Sequence, residues 1–358
     1  MKTLRTLTLF IIITITSSCQ NKKNMTILEQ QVELPKFKWE ESVNCPPGYP
    51  IEVYRGGFDG NTYVSLNNGT ATGISGWGYC GNGMSSGIKP LPSKINCIWV
   101  AYAERCHYKI NAEIDYEKML KLFQEGYPDS NRKFGKRKTT FNQIVAGFAP
   151  GGVVVIWASG AGRQVEIGRY KGSKFEVPQA EIDGLDASER LLFSEKEYDR
   201  IMNNTRIVPL EVREANSGKP IPYGLWDSYR TRHTWRPIVE VQQEAVIDGV
   251  GFELYNGEFD NLFDERLNKN DYEKRAIPKS ISFSWKDNKE QGYAGEVDFD
   301  EEEIFKSFKG TYKDNQDSIA EIIITINHSN NFATALIKQG ENKIRLTKTK
   351  VHIFKTEK

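Results

Sequence analysis

The chain has 358 residues, of which 39% are hydrophobic and 27% charged. That balance belongs to globular proteins and excludes a disordered chain, and the length allows two domains at roughly 100–200 residues each. Lys and Arg number 48 against 47 Asp and Glu, a formal net charge of +1. Removing residues 1–18, which carry Lys2 and Arg5, gives +1 − 2 = −1. Neither value suits a dedicated nucleic-acid binder, which neutralises phosphates with a basic face. The histidines His107, His233, His328 and His352 are far apart in sequence, which weakens the case for a zinc site or a His-dependent triad.

Residues 1–18 read as a secretory signal. Lys2 and Arg5 supply the positive start, and Leu7 to Ile15 form an apolar run too short to span about 30 Å of hydrocarbon. Thr16, Ser17 and Ser18 then precede Cys19, which resembles the lipobox of bacterial lipoproteins, with Thr16 where Leu is usual. The resemblance implies that Cys19 is lipidated and becomes the mature N-terminus. Gln20 to Asn24 carry no Asp after the Cys and no acidic cluster, which by resemblance to known sorting signals implies the outer membrane and its periplasmic face. Residues 19–38 are expected to be the lipidated N-terminus and a tether. Cys45, Cys80, Cys97 and Cys106 remain, an even number in an oxidising compartment, with free thiols and disulfides both open.

A strand is expected at Tyr49–Tyr54, followed by a Gly-rich stretch to Gly87. Gly76 to Gly81 spell G-x-G-x-x-G, but a dinucleotide site needs a helix opening on the last glycine. Asn82-Gly83 and then Pro90 and Pro92 prevent one. Gly83 to Gly87 spell G-x-S-x-G around Ser85, and a nucleophile elbow fails on the same ground. Leu91–Tyr127 reads strand, strand, helix. Ile95, Cys97 and Trp99 alternate with polar or outward residues, Tyr108–Ala112 follows, and Asp115 stands at a helix N-cap ahead of Met119 and Phe123. A polar loop, Pro128–Lys138, leads to strands at 143–148, 152–158 and 164–170.

The segment 179–235 is expected to connect two domains with one helix, Ala187–Met202. It ends in an aromatic and Arg-rich run with Trp226, Tyr229, Arg230, Trp235 and Arg236, residue types enriched at binding hot spots and equally suited to packing two halves together. Strands follow at 236–241 and 251–255, then Ile277–Tyr312, then strands at 320–327, 333–338, 343–346 and 350–354. The acids Asp298–Glu303 fit no calcium loop and read as helix-capping charge.

Ile277–Tyr312 repeats Leu91–Tyr127. Pro92, Ile95 and Trp99 match Pro278, Ile281 and Trp285 at an offset of 186. After one deletion, Tyr108, Asp115, Glu117, Lys121, Phe123 and Tyr127 match Tyr293, Asp300, Glu302, Lys306, Phe308 and Tyr312 at 185. A tandem duplication is the reading, at a period far beyond that of solenoids. The expected fold class is α+β, with two similar antiparallel β-sheet units, each with one helix packed on a face. The expected divisions are 1–18, 19–38, a first repeat domain over 39–178, the connector 179–235 and a second repeat domain over 236–358. In this frame Cys97 stands where Phe283 does, a core position.

The segments GYPIEVYRGGF, LPSKINCIWVAYAE with IDYEKMLKLF, and IVAGFAPGGVVVIWASGAGRQVEIGRY resemble the bacterial lipoprotein family called domain of unknown function 2931, common in Bacteroidota. The resemblance brings no catalytic motif, cofactor or metal set. It implies, by association only, an immunity role against a secreted phospholipase effector. The expected function is a lipid-anchored periplasmic binding protein without catalysis. An envelope lipoprotein with a structural or small-ligand role, and a serine hydrolase acting through Ser85, stay open beside it. The candidate protein-binding residues are Trp77, Tyr79 and Met84 in the loop Tyr63–Gly87, with Trp226 and Arg230 in the connector.

Overall fold

The first strand, β1 (Lys36–Asn44), buries Trp39 and Val43 on one face. It belongs to a computed structural model that describes residues 33–81, 83–128 and 138–356. The expected signal peptide, the lipidation at Cys19 and the tether up to residue 32 lie outside the described residues, as does the interior of the loop Pro128–Lys138. After β1 come β2 (Ile51–Asp59), β3 (Val64–Ser65), β4 (Ser86–Pro90), β5 (Lys94–Ala101) and β6 (Cys106–Glu113). Helix α1 (Tyr116–Glu125) follows, then β7 (Tyr127–Pro128) and β8 (Lys138–Thr139), which pair with each other. The first half closes with β9 (Gln143–Ala149), β10 (Val153–Gly160), β11 (Arg163–Lys171) and β12 (Ser173–Lys174).

These strands form two layers: β4-β1-β9-β10-β11, one end of a ten-stranded sheet that continues into the second half, and the separate five-stranded sheet β12-β6-β5-β2-β3. The inward faces of both supply one core with Trp39, Phe58, Trp99, Phe148 and Ile156, and α1 adds Met119 and Phe123. Trp99 sits in its middle, stacked on Tyr108 at 5.4 Å and 4.9 Å from Phe148. Asp115 caps α1 by accepting from the Lys118 N–H at 3.0 Å, as its position before the apolar stripe predicts.

The second half runs through β13 (Arg232–Val241), β14 (Ala245–Leu254), β15 (Phe259–Leu262), α6 (Asp264–Lys269), β16 (Glu273–Ala276), β17 (Pro278–Asp287) and β18 (Gly292–Asp298). Helix α7 (Glu301–Thr311) and β19 (Ile319–Ile326), β20 (Ala333–Gln339), β21 (Asn342–Leu346) and β22 (Lys350–Lys355) complete it. Its layers are β16-β13-β19-β20-β21 and β22-β18-β17-β14-β15. The strand order is that of the first half, and so are several side-chain details. Trp285 stacks on Tyr293 at 5.2 Å, and Asp300 caps α7 through the Glu303 N–H at 2.9 Å. The indole N–H of Trp39 donates to Pro90 O at 3.2 Å and that of Trp235 to Ala276 O at 3.0 Å. The Lys89 ammonium lies over the Trp39 ring and the Arg275 guanidinium over that of Trp235.

The fold is α+β, predominantly sheet, and it differs from the expectation in four respects. Each half holds two layers rather than one sheet. The sheets are not wholly antiparallel, because β1 pairs parallel with β9 and β13 with β19. That pairing is possible because a whole strand–strand–helix passage carries the chain over before it returns. The strand β1 begins inside the expected tether, and β13 begins inside the expected connector. The connector holds α2 (Gln179–Asp183), α3 (Glu195–Asn203), α4 (Leu210–Asn216) and α5 (Leu225–Ser228), with a 3-10 turn at Glu189–Phe193. The single helix expected at 187–202 breaks at Ser194, which is extended and caps α3 by accepting from the Glu197 N–H at 3.2 Å.

The described cysteines Cys45, Cys80, Cys97 and Cys106 are free thiols. Across β5 and β6, Cys97 faces Ile110 and Cys106 faces Ala101, a register that keeps those two apart. Burial pushes the Cys45 thiol up to about 12.

Candidate functional site

The two halves meet where the outer layer of the first abuts the turn between β14 and β15. Gly78 and Gly257 make this approach possible. Both have positive φ, 87° and 88°. A Cβ on Gly78 would lie 2.5 Å from the Gly257 Cα, and one on Gly257 would meet the Trp157 ring at 3.0 Å. Gln164, whose pairing with Phe259 joins β11 to β15, donates to Gly78 O at 2.6 Å and to Gly257 O at 2.5 Å. The glycines of the G-x-G-x-x-G spacing have packing roles. Gly76 sits over the Tyr79 ring, Gly78 touches Gly257, and Gly81 packs on Val43 O with no helix after it.

The connector clamps this junction. Arg230 binds Glu166 at 2.7 Å, Arg232 binds Glu258 at 2.6 Å, and Arg169 holds Asp227 with two bonds of 2.7 Å. Trp226 and Tyr229 fold onto Val145, Val153, Val155 and Trp157, covering the outer face of β9 and β10.

Two clefts open beside the junction. One, of about 320 Å³, is walled by Tyr49, Trp77, Tyr79, Trp226, Tyr229 and Tyr255, with Glu253, Glu258, Glu301 and Lys279 among its polar groups. The other, of about 640 Å³, is more polar and is lined by Cys80, Asn142, Gln143, Ser159, Asp260 and Asn261 among others. Tyr79 borders both clefts, its hydroxyl donating to the Glu253 carboxylate. Burial, and then the bonded carboxylate, raise the pKa of Tyr79 and of Tyr229, so both phenols stay neutral donors.

The structure divides the sequence-predicted residues. Trp77, Tyr79 and Trp226 converge on the aromatic cleft. Trp77 is a wall rather than a protruding anchor, because it is half-buried with its ring 5.0 Å from Trp157. Trp226 is 3% exposed, so it presents no surface to a partner. Arg230 is spent on Glu166, clamping the connector to β11. Met84 lines neither cleft and stands 75% exposed. Tyr49, Tyr255, Glu253 and Glu301 carry no local signal; only the meeting of the 66–85 loop with the β14–β15 turn brings them together.

Ser85 has a polar environment of its own. Glu41, 1% exposed, accepts from the Met84 and Ser85 N–H groups at 2.9 Å each and from the Ser85 hydroxyl. Lys89 donates to Ser85 Oγ at 3.0 Å, and burial lowers its pKa against the opposing pull of Glu41. The backbone donors that an acyl oxyanion would need are thus occupied by the protein's own carboxylate. His233 is elsewhere, buried in the second half against Tyr312 at 4.3 Å. Among the described residues, no three His, Cys, Asp or Glu converge to hold a metal.

The chain belongs to the family described as protein of unknown function (DUF2931), which matches residues 18–224, the first half and most of the connector. No curated protein matches the chain. No solved structure matches it either.

Proposed function

We propose that this DUF2931 chain is a lipid-anchored envelope protein that acts by binding, as an immunity protein against a secreted phospholipase effector. The observation that carries the non-catalytic part is the state of Ser85, whose hydroxyl and neighbouring amides are consumed in holding Glu41. The partner surface we propose is the Tyr63–Gly87 loop with strand β4 beside it. Tyr63, Ile74 and Met84 are 63%, 55% and 75% exposed, and Ile88 on β4 is 74% exposed. Strand β4 is also a sheet edge, hydrogen-bonded among the described strands only to β1, and its other side offers main-chain groups to an incoming strand. The anchor is placed at Cys19 and the locale at the periplasmic face of the outer membrane. No helix among the described residues is long and apolar enough to cross a membrane.

A gene deletion strain exposed to siblings with an active secretion system tests this reading. Protection should be restored by the wild type and by Ser85→Ala, and lost with Met84→Asp/Ile88→Asp, whose melting curve stays that of the wild type. Cys19→Ala should leave the membrane fraction. Equal survival of the deletion strain and its parent would overturn the immunity reading. The reading as an envelope protein with a small-ligand role then stands first, supported by the aromatic cleft. Loss of protection with Ser85→Ala in a folded protein would favour the hydrolase instead.

We also propose that the two halves descend from a tandem duplication. Supporting this are the shared strand order, the paired Trp indole bonds and the backbone irregularity at one equivalent place in each half, between Val53 and Arg55 and between Ile247 and Gly249. The family match ends at residue 224, so the second half would be the diverged copy.

A further inference from the structure

The aromatic cleft has the composition of a cation receptor. Aromatic side chains wall it, among them Tyr49, Trp77, Tyr79, Trp226, Tyr229 and Tyr255, and aromatic faces carry the negative lobe of the ring quadrupole. Their mutual packing holds them in place before any ligand arrives. Tyr49 meets Trp226 edge-on at 5.3 Å, and Tyr229 lies 5.3 Å from Tyr255. Trp226 and Tyr229 are fixed from behind by the core under β9 and β10.

The charges in the lining are unbalanced. Glu258 is neutralised by Arg232 at 2.6 Å. Glu253 holds only the Tyr79 hydroxyl in the bonds that define it, and Glu301 holds the Tyr229 hydroxyl at 2.6 Å. Against these two carboxylates stands Lys279, exposed, with its ammonium already 5.4 Å over the Tyr79 ring. Lys279 shows that this lining accommodates an ammonium on an aromatic face. Burial keeps the phenols of Tyr79, Tyr229 and Tyr255 protonated, so their contribution is the face and the neutral hydroxyl. A neutral apolar ligand would strip water from the two carboxylates without compensation. A metal ion finds no set of three donors among the described residues. At about 320 Å³ the cleft sits at the small end of ligand sites, a fit to a compact group rather than a chain.

We infer that this cleft binds an organic ammonium group, a quaternary or alkyl ammonium seated on the half-buried Tyr49, Trp77 and Tyr255 and drawn by Glu253 and Glu301. The group has two sources, a free amine or the headgroup of a zwitterionic lipid, in which case Lys279 lies close enough to meet the phosphate. The inference does not rest on the effector partner proposed above. A failed survival assay leaves it standing, and its failure leaves the survival assay untouched.

The test uses the purified full chain and follows tryptophan fluorescence, with Trp77 and Trp226 as the reporters in the wall. Choline is titrated against 3,3-dimethylbutan-1-ol, its neutral isostere. Choline should change the emission saturably in the millimolar range, and the isostere should bind at least about tenfold more weakly, a cation–aromatic and carboxylate contribution of the ordinary size. Glu301→Gln, at the exposed first position of α7, should weaken choline about three- to tenfold with an unchanged melting curve. Dihexanoyl phosphatidylcholine and phosphocholine separate the sources. Tighter binding of the short-chain lipid than of choline identifies a headgroup, and binding of choline alone identifies a free amine; both support the inference. Absence of saturable choline binding, or equal binding of choline and its isostere, would overturn it, and neither outcome depends on a variant that folds.

Discussion

The paired tryptophans Trp99 and Trp285 give the sharpest test of how each half is held together. Both are essentially unexposed, at 1% and 0%, and each is stacked on the tyrosine directly across the hairpin. An aromatic side chain buries about 150–250 Å². At about 25 cal/mol per Å² that is an upper bound of about 4–6 kcal/mol. Measured truncations of buried aromatics to Ala cost about 3–5 kcal/mol, so that is the loss expected for Trp99→Ala. Around Trp99 the site cannot collapse easily, because Phe148 and the Gly172 backbone press on the ring; a Cβ on Gly172 would lie 2.4 Å from its edge. Trp285→Ala should lie at the upper end of the same range. Its indole N–H donates to Asn330 Oδ1 at 3.2 Å, and removing it leaves a buried acceptor unpaired at a further cost of about 1 kcal/mol or more. Trp285→Phe isolates that hydrogen bond, since the ring packing is largely retained. The two tryptophans belong to separate cores, so the double variant should lose the sum of the single losses to within about 0.5 kcal/mol. Urea unfolding followed by far-ultraviolet circular dichroism gives these values. A loss below about 1 kcal/mol for either Ala variant would refute the packing argument, and strong non-additivity would refute the independence of the two cores.

Two further outcomes are expected. Asp115→Ala and Asp300→Ala should each cost about 1 kcal/mol in urea unfolding, because each removes the side-chain acceptor of a helix N-terminus; a loss near zero for both would assign the caps no energetic role. His107 is buried against Phe193 at 4.7 Å, and burial lowers its pKa from 6.5 to about 4. Unfolding then takes up a proton as pH falls through 6.5, so its contribution is complete above that pH and is lost by about pH 4, at most about 3 kcal/mol. His107→Phe should flatten that part of the acid-unfolding profile, and an unchanged profile would place the acid sensitivity elsewhere.

The elements whose information is local were legible in the sequence. Alternation along Ile95 to Ala101 and along Ile281 to Trp285 identified β5 and β17, although β5 buries its other face as well, with Ile98 and Val100 packed against the connector. Asp115 and Asp300, set ahead of an apolar stripe, marked two helix starts, and Cys97 proved a core position. After the glycine-rich motifs the chain enters strand β4 rather than a helix, as Pro90 and Pro92 predict. Strand β1 was missed because it carries Lys36, Lys38, Glu40 and Glu41 and resembles a polar tether. Glu41 is buried only because the 83–85 segment wraps around it.

Tertiary structure alone decided the candidate site. Trp226 and Arg230 look identical in sequence whether they face a partner or a neighbouring layer, and only the folding of the connector onto β9, β10 and β11 turned them inward. Met84 stayed outside, 75% exposed. The cleft itself draws on Tyr49, Trp77, Tyr229 and Tyr255, separated by up to two hundred residues, and no periodicity links them. Periodicity reports which face of an element is buried, because hydrophobic burial is a property of each residue. It carries no record of which layer supplies the burial, because that depends on how Gly78 and Gly257 let two backbones touch.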